Sequence, residues 1–100
     1  MANNTTSDRL WTLDTAAEIN GDGTETLVRK LYFVPAAADN ACTIQEYSSA
    51  SALRTEAYLK AGATDASPVE QDFGPDGRYF NGFKLSAISA GTLFVYLGVR

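Results

Sequence analysis

Histidine is absent from the 100-residue chain, and cysteine occurs once, at Cys42. A Ser-His-Asp or Cys-His catalytic arrangement is therefore excluded. Zinc chemistry loses its usual nitrogen ligand, and one thiolate does not replace it. A lone cysteine also excludes an intramolecular disulfide, on which small secreted domains commonly lean. No apolar run approaches the roughly 20 residues of a membrane-spanning helix. The eight basic residues are scattered, Arg29 and Lys30 being the only adjacent pair, and the formal net charge is -4. Nucleic acid calls for a basic stripe, so neither direct nucleic-acid binding nor a membrane is expected. The opening Met1-Ala2-Asn3-Asn4-Thr5-Thr6-Ser7-Asp8 has no basic n-region and no apolar h-region. It reads as a flexible polar arm over residues 1–8 of a protein made in the cytoplasm.

What the chain does contain is a core. It is 45% hydrophobic and 20% charged, the balance of one globular domain, expected over residues 9–100. The apolar residues repeat mostly every second position, which is the strand period. Seven candidate strands follow: residues 9–14, 26–34, 41–47, 53–60, 69–73, 83–88 and 92–99. Pro35 ends the second, because proline has no N–H for a ladder. Residues 15–20 admit one helical turn, with Asp14 or Thr15 as cap and Glu18 three residues beyond Thr15. Gly21-Asp22-Gly23 reads as the turn joining the first two strands. Over residues 53–60, Leu53, Thr55, Ala57 and Leu59 alternate with Arg54, Glu56, Tyr58 and Lys60, which favours strand over helix. Gly74-Pro75-Asp76-Gly77 is the strongest turn signal, and Asn81-Gly82 marks a second turn or a bulge. The expected fold is all-β: a compact β-sandwich or small barrel of about seven antiparallel strands with a polar N-terminal arm.

The chemical motifs are weak. Asn20-Gly21-Asp22-Gly23-Thr24-Glu25 resembles part of a calcium loop but has neither the Asp-x-Asp start nor the distal bidentate Glu, so a glycine-rich turn is the better reading. Asp72-Phe73-Gly74 repeats three letters of a kinase motif with nothing else of that set. Glu70 and Asp72 sit in a turn-rich polar stretch and read as solvated carboxylates. Cys42 lies on an apolar alternating face, where cysteine packs as a small hydrophobe. No cofactor or metal is expected, and the chain reads as a non-enzyme.

The informative residues are aromatic. In the last strand Leu93, Val95 and Leu97 alternate with Phe94 and Tyr96, so both faces are apolar. A strand apolar on both sides in so small a domain needs a cover, either from loops of its own chain or from a neighbouring subunit. Tyr58 would face outward among Arg54, Glu56 and Lys60. Tyrosine and arginine dominate interface energetics, so Tyr58, Phe94, Tyr96, Arg54 and Arg78 are the interface candidates.

The C-terminal third carries a further pattern: Arg78-Tyr79-Phe80-Asn81-Gly82-Phe83-Lys84-Leu85, then Ala87-Ile88-Ser89-Ala90-Gly91-Thr92-Leu93-Phe94-Val95-Tyr96-Leu97. With the opening Met-Ala-Asn-x-Thr-Thr-x-Asp-Arg-Leu-Trp, it resembles the small β-sandwich structural proteins of tailed-bacteriophage virions. The resemblance implies a virion component made in the host cytoplasm, of the head decoration (cement) type. Its partners would be the major capsid protein and copies of itself, with a trimer expected. The alternative it leaves is a neck, tail or fibre accessory module that binds receptor or carbohydrate, with Trp11 and Tyr79 as stacking platforms.

Overall fold

The computed structural model describes residues 4–6 and 9–98. Seven strands follow in chain order: β1 (Leu10–Leu13), β2 (Ala17–Val34), β3 (Ala41–Tyr47), β4 (Leu53–Lys60), β5 (Val69–Asp72), β6 (Arg78–Ile88) and β7 (Thr92–Leu97). The expected all-β class holds, with every pairing antiparallel. All seven strands belong to one hydrogen-bonded sheet of order β1-β7-β2-β6-β3-β4, and β5 pairs with β2. Because β7 occupies one edge of the C-terminal half of β2, β5 and β6 succeed one another along the other edge.

The length of β2 corrects the sequence reading. Its 18 residues run through both the stretch expected to make a helical turn and the Gly21-Asp22-Gly23 segment expected to end in a turn. The cause lies in β6. Against β6, β2 steps from Asn20 opposite Phe83 to Glu25 opposite Asn81, so five residues of one strand pass two of the other. The surplus bulges outward and is tied down by Asn81, whose Oδ1 accepts from Gly23 N–H at 2.8 Å and whose Nδ2 donates to Asp22 Oδ1 at 2.9 Å. Local turn chemistry is thus overridden by hydrogen bonds from a residue nearly 60 positions away. Gly82 completes the device. Its φ is +76°, and a Cβ there would lie 2.9 Å from the carbonyl oxygens of Asn20 and Gly21. The Asn81-Gly82 pair is accordingly a bulge inside β6 and not a turn.

One face of the sheet is apolar except for Thr26 and Glu46. Leu13, Leu31, Phe33, Ile44, Phe80, Phe83, Leu85, Leu93 and Val95 are wholly buried, with Trp11, Val28, Cys42 and Leu59 in the same cluster. Each such side chain contributes about 1.5–3 kcal/mol when removed from water. A single sheet covers its own apolar face only by coiling. The Trp11 ring on β1 meets Phe83 on β6 edge-on at 5.2 Å, although β7 and β2 lie between those strands. The stack continues from Phe83 to Phe80 at 5.7 Å and from Phe80 to Phe73 at 5.8 Å.

Two bulges reset which residues face inward. On β2 the pairing to β7 jumps from Val28 to Lys30, so Val28, Leu31 and Phe33 all point into the core across an odd spacing. On β4 the pairing to β3 jumps from Ala57 to Thr55, leaving Glu56 as the extra residue. The uniform alternation expected for residues 53–60 therefore breaks. Leu59 is buried, but Leu53, expected on the same face, is 37% exposed. At the other end, Asn4–Thr6 is not loose: Thr5 and Thr12 exchange both backbone hydrogen bonds at 2.8 Å, and Asn4 Oδ1 accepts from the N–H groups of Asp14 and Thr15. The rest of the expected arm, residues 1–3, 7 and 8, lies outside the described residues.

Cys42 is buried in the core, and burial pushes its thiol up to about 12. The native protein should therefore resist thiol labelling at pH 8 and react at once in denaturant. Rapid stoichiometric labelling without denaturant would place Cys42 at the surface and contradict this core.

Candidate functional site

Two side-chain groups stand apart from the core. The first is the outward face of β1, β7, β2 and β5. Register places Leu10, Tyr96, Lys30 and Asp72 in one row across the sheet, and Thr12, Phe94, Tyr32 and Glu70 in the next. Lys30 Nζ lies 4.8 Å from the Tyr96 ring centre and 5.8 Å from that of Tyr32, and 3.3 Å from a Glu70 oxygen. Phe94 leans on Tyr32 at 6.4 Å. Lys30 thus sits among aromatic faces that attract its charge, a contact worth about 0.5–1 kcal/mol at an exposed site. A recess of about 160 Å³ opens beside it, lined by Arg29, Lys30, Asp72 and Tyr96.

The second group closes the rim of the core. Glu46 follows Cys42 and Ile44 on the inward phase of β3 and is 8% exposed. Arg78 on β6 reaches it with Nη2 2.5 Å from Oε2, and the same nitrogen lies 2.7 Å from Glu56 Oε1. Glu56 also takes Arg54 Nε at 2.8 Å. The other Glu46 oxygen accepts from Asn81 N–H at 2.9 Å, and the Arg78 guanidinium lies 4.4 Å from the Phe80 ring centre. The bulge at Glu56 makes this possible by turning Glu56 toward Arg78. Among the described residues no buried side-chain nitrogen or oxygen is without a partner.

The interface candidates are therefore divided. Phe94 and Tyr96 lie side by side along β7 on the outward aromatic face, with Tyr96 38% exposed. Arg54 and Arg78 are brought together, but in the ion-paired cluster with Glu46 and Glu56. Tyr58 is exposed on β4, with three strands separating it from β7 in the sheet. Of the two stacking candidates, Tyr79 is 50% exposed, whereas Trp11 is buried against Phe83 and offers no platform. Sequence reasoning missed Lys30 and Tyr32, because the bulge at Arg29 conceals the phase of β2, and it missed Leu10, which only the pairing of β1 with β7 sets beside Tyr96. Glu46 did carry a signal: a carboxylate on the buried phase of a strand requires a buried partner.

A smaller polar group gathers at the outward bulge of β2. The Tyr47 hydroxyl donates to Glu18, and this bond, with burial and the nearby charges of Glu18 and Asp22, raises the tyrosine's pKa. Hydrogen bonds from Ser51 and Asn81 lower that of Asp22. Among the described residues no set of three or more His, Cys, Asp or Glu side chains is arranged to hold a metal ion.

Comparison with known proteins found no matching family profile, no matching curated protein and no matching solved structure. The geometry of the chain itself therefore carries the functional reading.

Removing Arg78 leaves Glu46 charged and poorly solvated. Arg78→Met should lower stability by about 3 kcal/mol, the low end for breaking a buried pair, because the Arg78 side chain stays partly in water. Glu46→Gln with Arg78→Met should recover part of the loss. Chemical denaturation measures both, and an Arg78→Met midpoint equal to the wild type would contradict the arrangement.

Proposed function

We propose that this chain is a structural subunit that works by protein–protein assembly, a virion component of the capsid decoration type that binds and reinforces the major capsid shell. The carrying observation is the outward face of β7 and β2. Among the described residues no further strand or helix lies over this face, where Leu10, Tyr32 and Phe94 are half-buried and Tyr96 is exposed. An aromatic patch with a cation at its centre and polar residues at its rim has the composition of an interface core.

The strand edges support attachment through a face. On the edge strand β4, Arg54, Glu56 and Lys60 and the bulge at Glu56 obstruct pairing with a further strand. The outer edge of β1 is bridged by Thr5. The resemblance of the C-terminal third and the opening segment to small phage virion proteins supports the choice of a capsid as partner. Many copies, each with a modest interface, resist the pressure of a packed genome collectively. The same outward face suits a neck, tail or fibre position, but the burial of Trp11 removes one of the two stacking platforms a carbohydrate-binding module would use.

The test is binding to shells built from the major capsid protein of the same virion. Tyr96→Ala and Phe94→Ala should each weaken binding by about 2 kcal/mol, roughly 30-fold, if they anchor the interface. Tyr96→Ala should leave the melting temperature nearly unchanged, since Tyr96 fills no core space. Wild-type protein that fails to bind shells, or variants that bind as well as wild type, would overturn the proposal.

A further inference from the structure

The chain contains two Asn-Gly pairs, Asn20-Gly21 and Asn81-Gly82, and register brings both to the outward bulge of β2. An Asp-Gly pair, Asp22-Gly23, stands beside them on the bulge. Each pair has the atoms for one reaction. The amide nitrogen of the glycine attacks the side-chain carbonyl carbon of the residue before it, and glycine has no Cβ to obstruct the approach. At asparagine the new N–C bond forms as the Cγ–Nδ2 bond breaks, and ammonia leaves with the glycine's amide proton. Water then opens the succinimide ring, at one carbonyl to give aspartate and at the other to give isoaspartate. A neutral amide has become a carboxylate, with water as the only co-reactant.

The fold holds the two asparagines differently. Asn81 is half-buried, and Gly82 after it is buried. The Asn81 side chain is tied at both ends: Oδ1 accepts from Gly23 N–H at 2.8 Å, and Nδ2 donates to Asp22 Oδ1 at 2.9 Å and to the Tyr47 carbonyl at 3.3 Å. The same amide guards Asp22-Gly23, because it bonds both the carboxylate and the glycine N–H that would react there. Asn20 is tied more simply, by Nδ2 donating to Thr26 Oγ1 at 2.6 Å. The products differ too. At Asn81 a donor nitrogen becomes a charged oxygen facing Asp22 Oδ1 and the Tyr47 carbonyl, so two attractive contacts turn repulsive. At Asn20 the new oxygen accepts from the Thr26 hydroxyl, which rotates to donate.

We infer that Asn81 is a guarded deamidation site: it converts when the bulge opens, and its conversion removes the tie that holds the bulge shut. A guarded group reacts at its intrinsic rate multiplied by the fraction of chains locally open. The change runs one way, since neither product restores a donor nitrogen opposite Asp22. It also reaches the core. Phe80 and Phe83 flank the Asn81-Gly82 pair and stack on each other at 5.7 Å, and the Asn81 N–H is bonded to Glu46 at 2.9 Å.

The full chain is aged at mildly alkaline pH, natively and in denaturant, and mapped by peptide mass spectrometry. In denaturant both asparagines should convert at similar rates. In the native protein Asn81 should convert about tenfold or more slowly than in denaturant, and more slowly than Asn20. Asp22→Ala removes an exposed partner and should speed native conversion of Asn81 about fivefold. Melting reads the consequence. Asn81→Asp should lower the melting temperature by about 5 °C or more, and Asn20→Asp by less. Adding Asp22→Asn to Asn81→Asp should recover part of the loss, because donor and acceptor have changed places. Native conversion of Asn81 as fast as in denaturant, or no faster in Asp22→Ala than in the wild type, would overturn the guard. An Asn81→Asp chain that melts with the wild type would overturn the lock.

Discussion

The structure depends on a single constraint: one sheet must cover its own apolar face. With all seven strands in one hydrogen-bonded set, there is no second sheet and no helix among the described residues to lay over the core. The sheet coils until β1 reaches β6, and the edge-on contact of Trp11 with Phe83 marks where its two halves meet. The long β2 makes this possible. Its N-terminal half belongs to the β6–β3–β4 side and its C-terminal half to the β1–β7 side, so the strand carries the bend within itself. The bulges at Gly21–Thr24 and Arg29 are the places where the ladder yields and extra twist enters. Phe80 and Phe83, on the strand paired to that bend, fill the space it encloses.

Coiling decides what is left outside. Between the bulges the strands alternate, so the residues that cannot enter the core form the outer surface. On β3 and β6 these are mostly small or polar, such as Thr43, Gln45, Lys84 and Ser86. On β7 and β2 they are Phe94, Tyr96, Tyr32 and Lys30. The asymmetry has no evident use to the monomer's own fold, since these side chains lie on the far side of the sheet from the core. Arg78 and Arg54, which have the residue type of an interface, are instead held by Glu46 and Glu56 at the rim of the core. There they join β6, β3 and β4, and the charge of Glu46 is compensated where water reaches it poorly.

Much of the fold was legible from period alone. Residues 41–47 and 53–60 are strands with the bounds that alternation predicts, and the last strand and the Gly74–Gly77 turn stand where β propensity and turn chemistry place them. What was not legible depends on distant partners. The segment 15–25 has the composition of a cap and a turn, and from Ala17 onward it is strand because β6, far along the chain, pairs with it and Asn81 ties down Asp22 and Gly23. A bulge is equally silent in the sequence, because one inserted residue at Glu56 or Arg29 changes the face of everything beyond it without changing composition. That is why Leu53 does not share the face of Leu59 as alternation predicts, and why Lys30 and Tyr32 are not legible as neighbours of Phe94 and Tyr96. The apolar character of β7 on both faces was readable, and it led to two of the side chains now placed on the candidate surface.

The central claim is that the outward face of β7 and β2 exists to be covered by another protein. Imaging of a virion that carries this chain tests it most directly. The account predicts density for the domain on the capsid surface, with Phe94, Tyr96 and Tyr32 turned into a protein contact. Density at the tail tip, or on the capsid with that aromatic face turned to solvent, would contradict it.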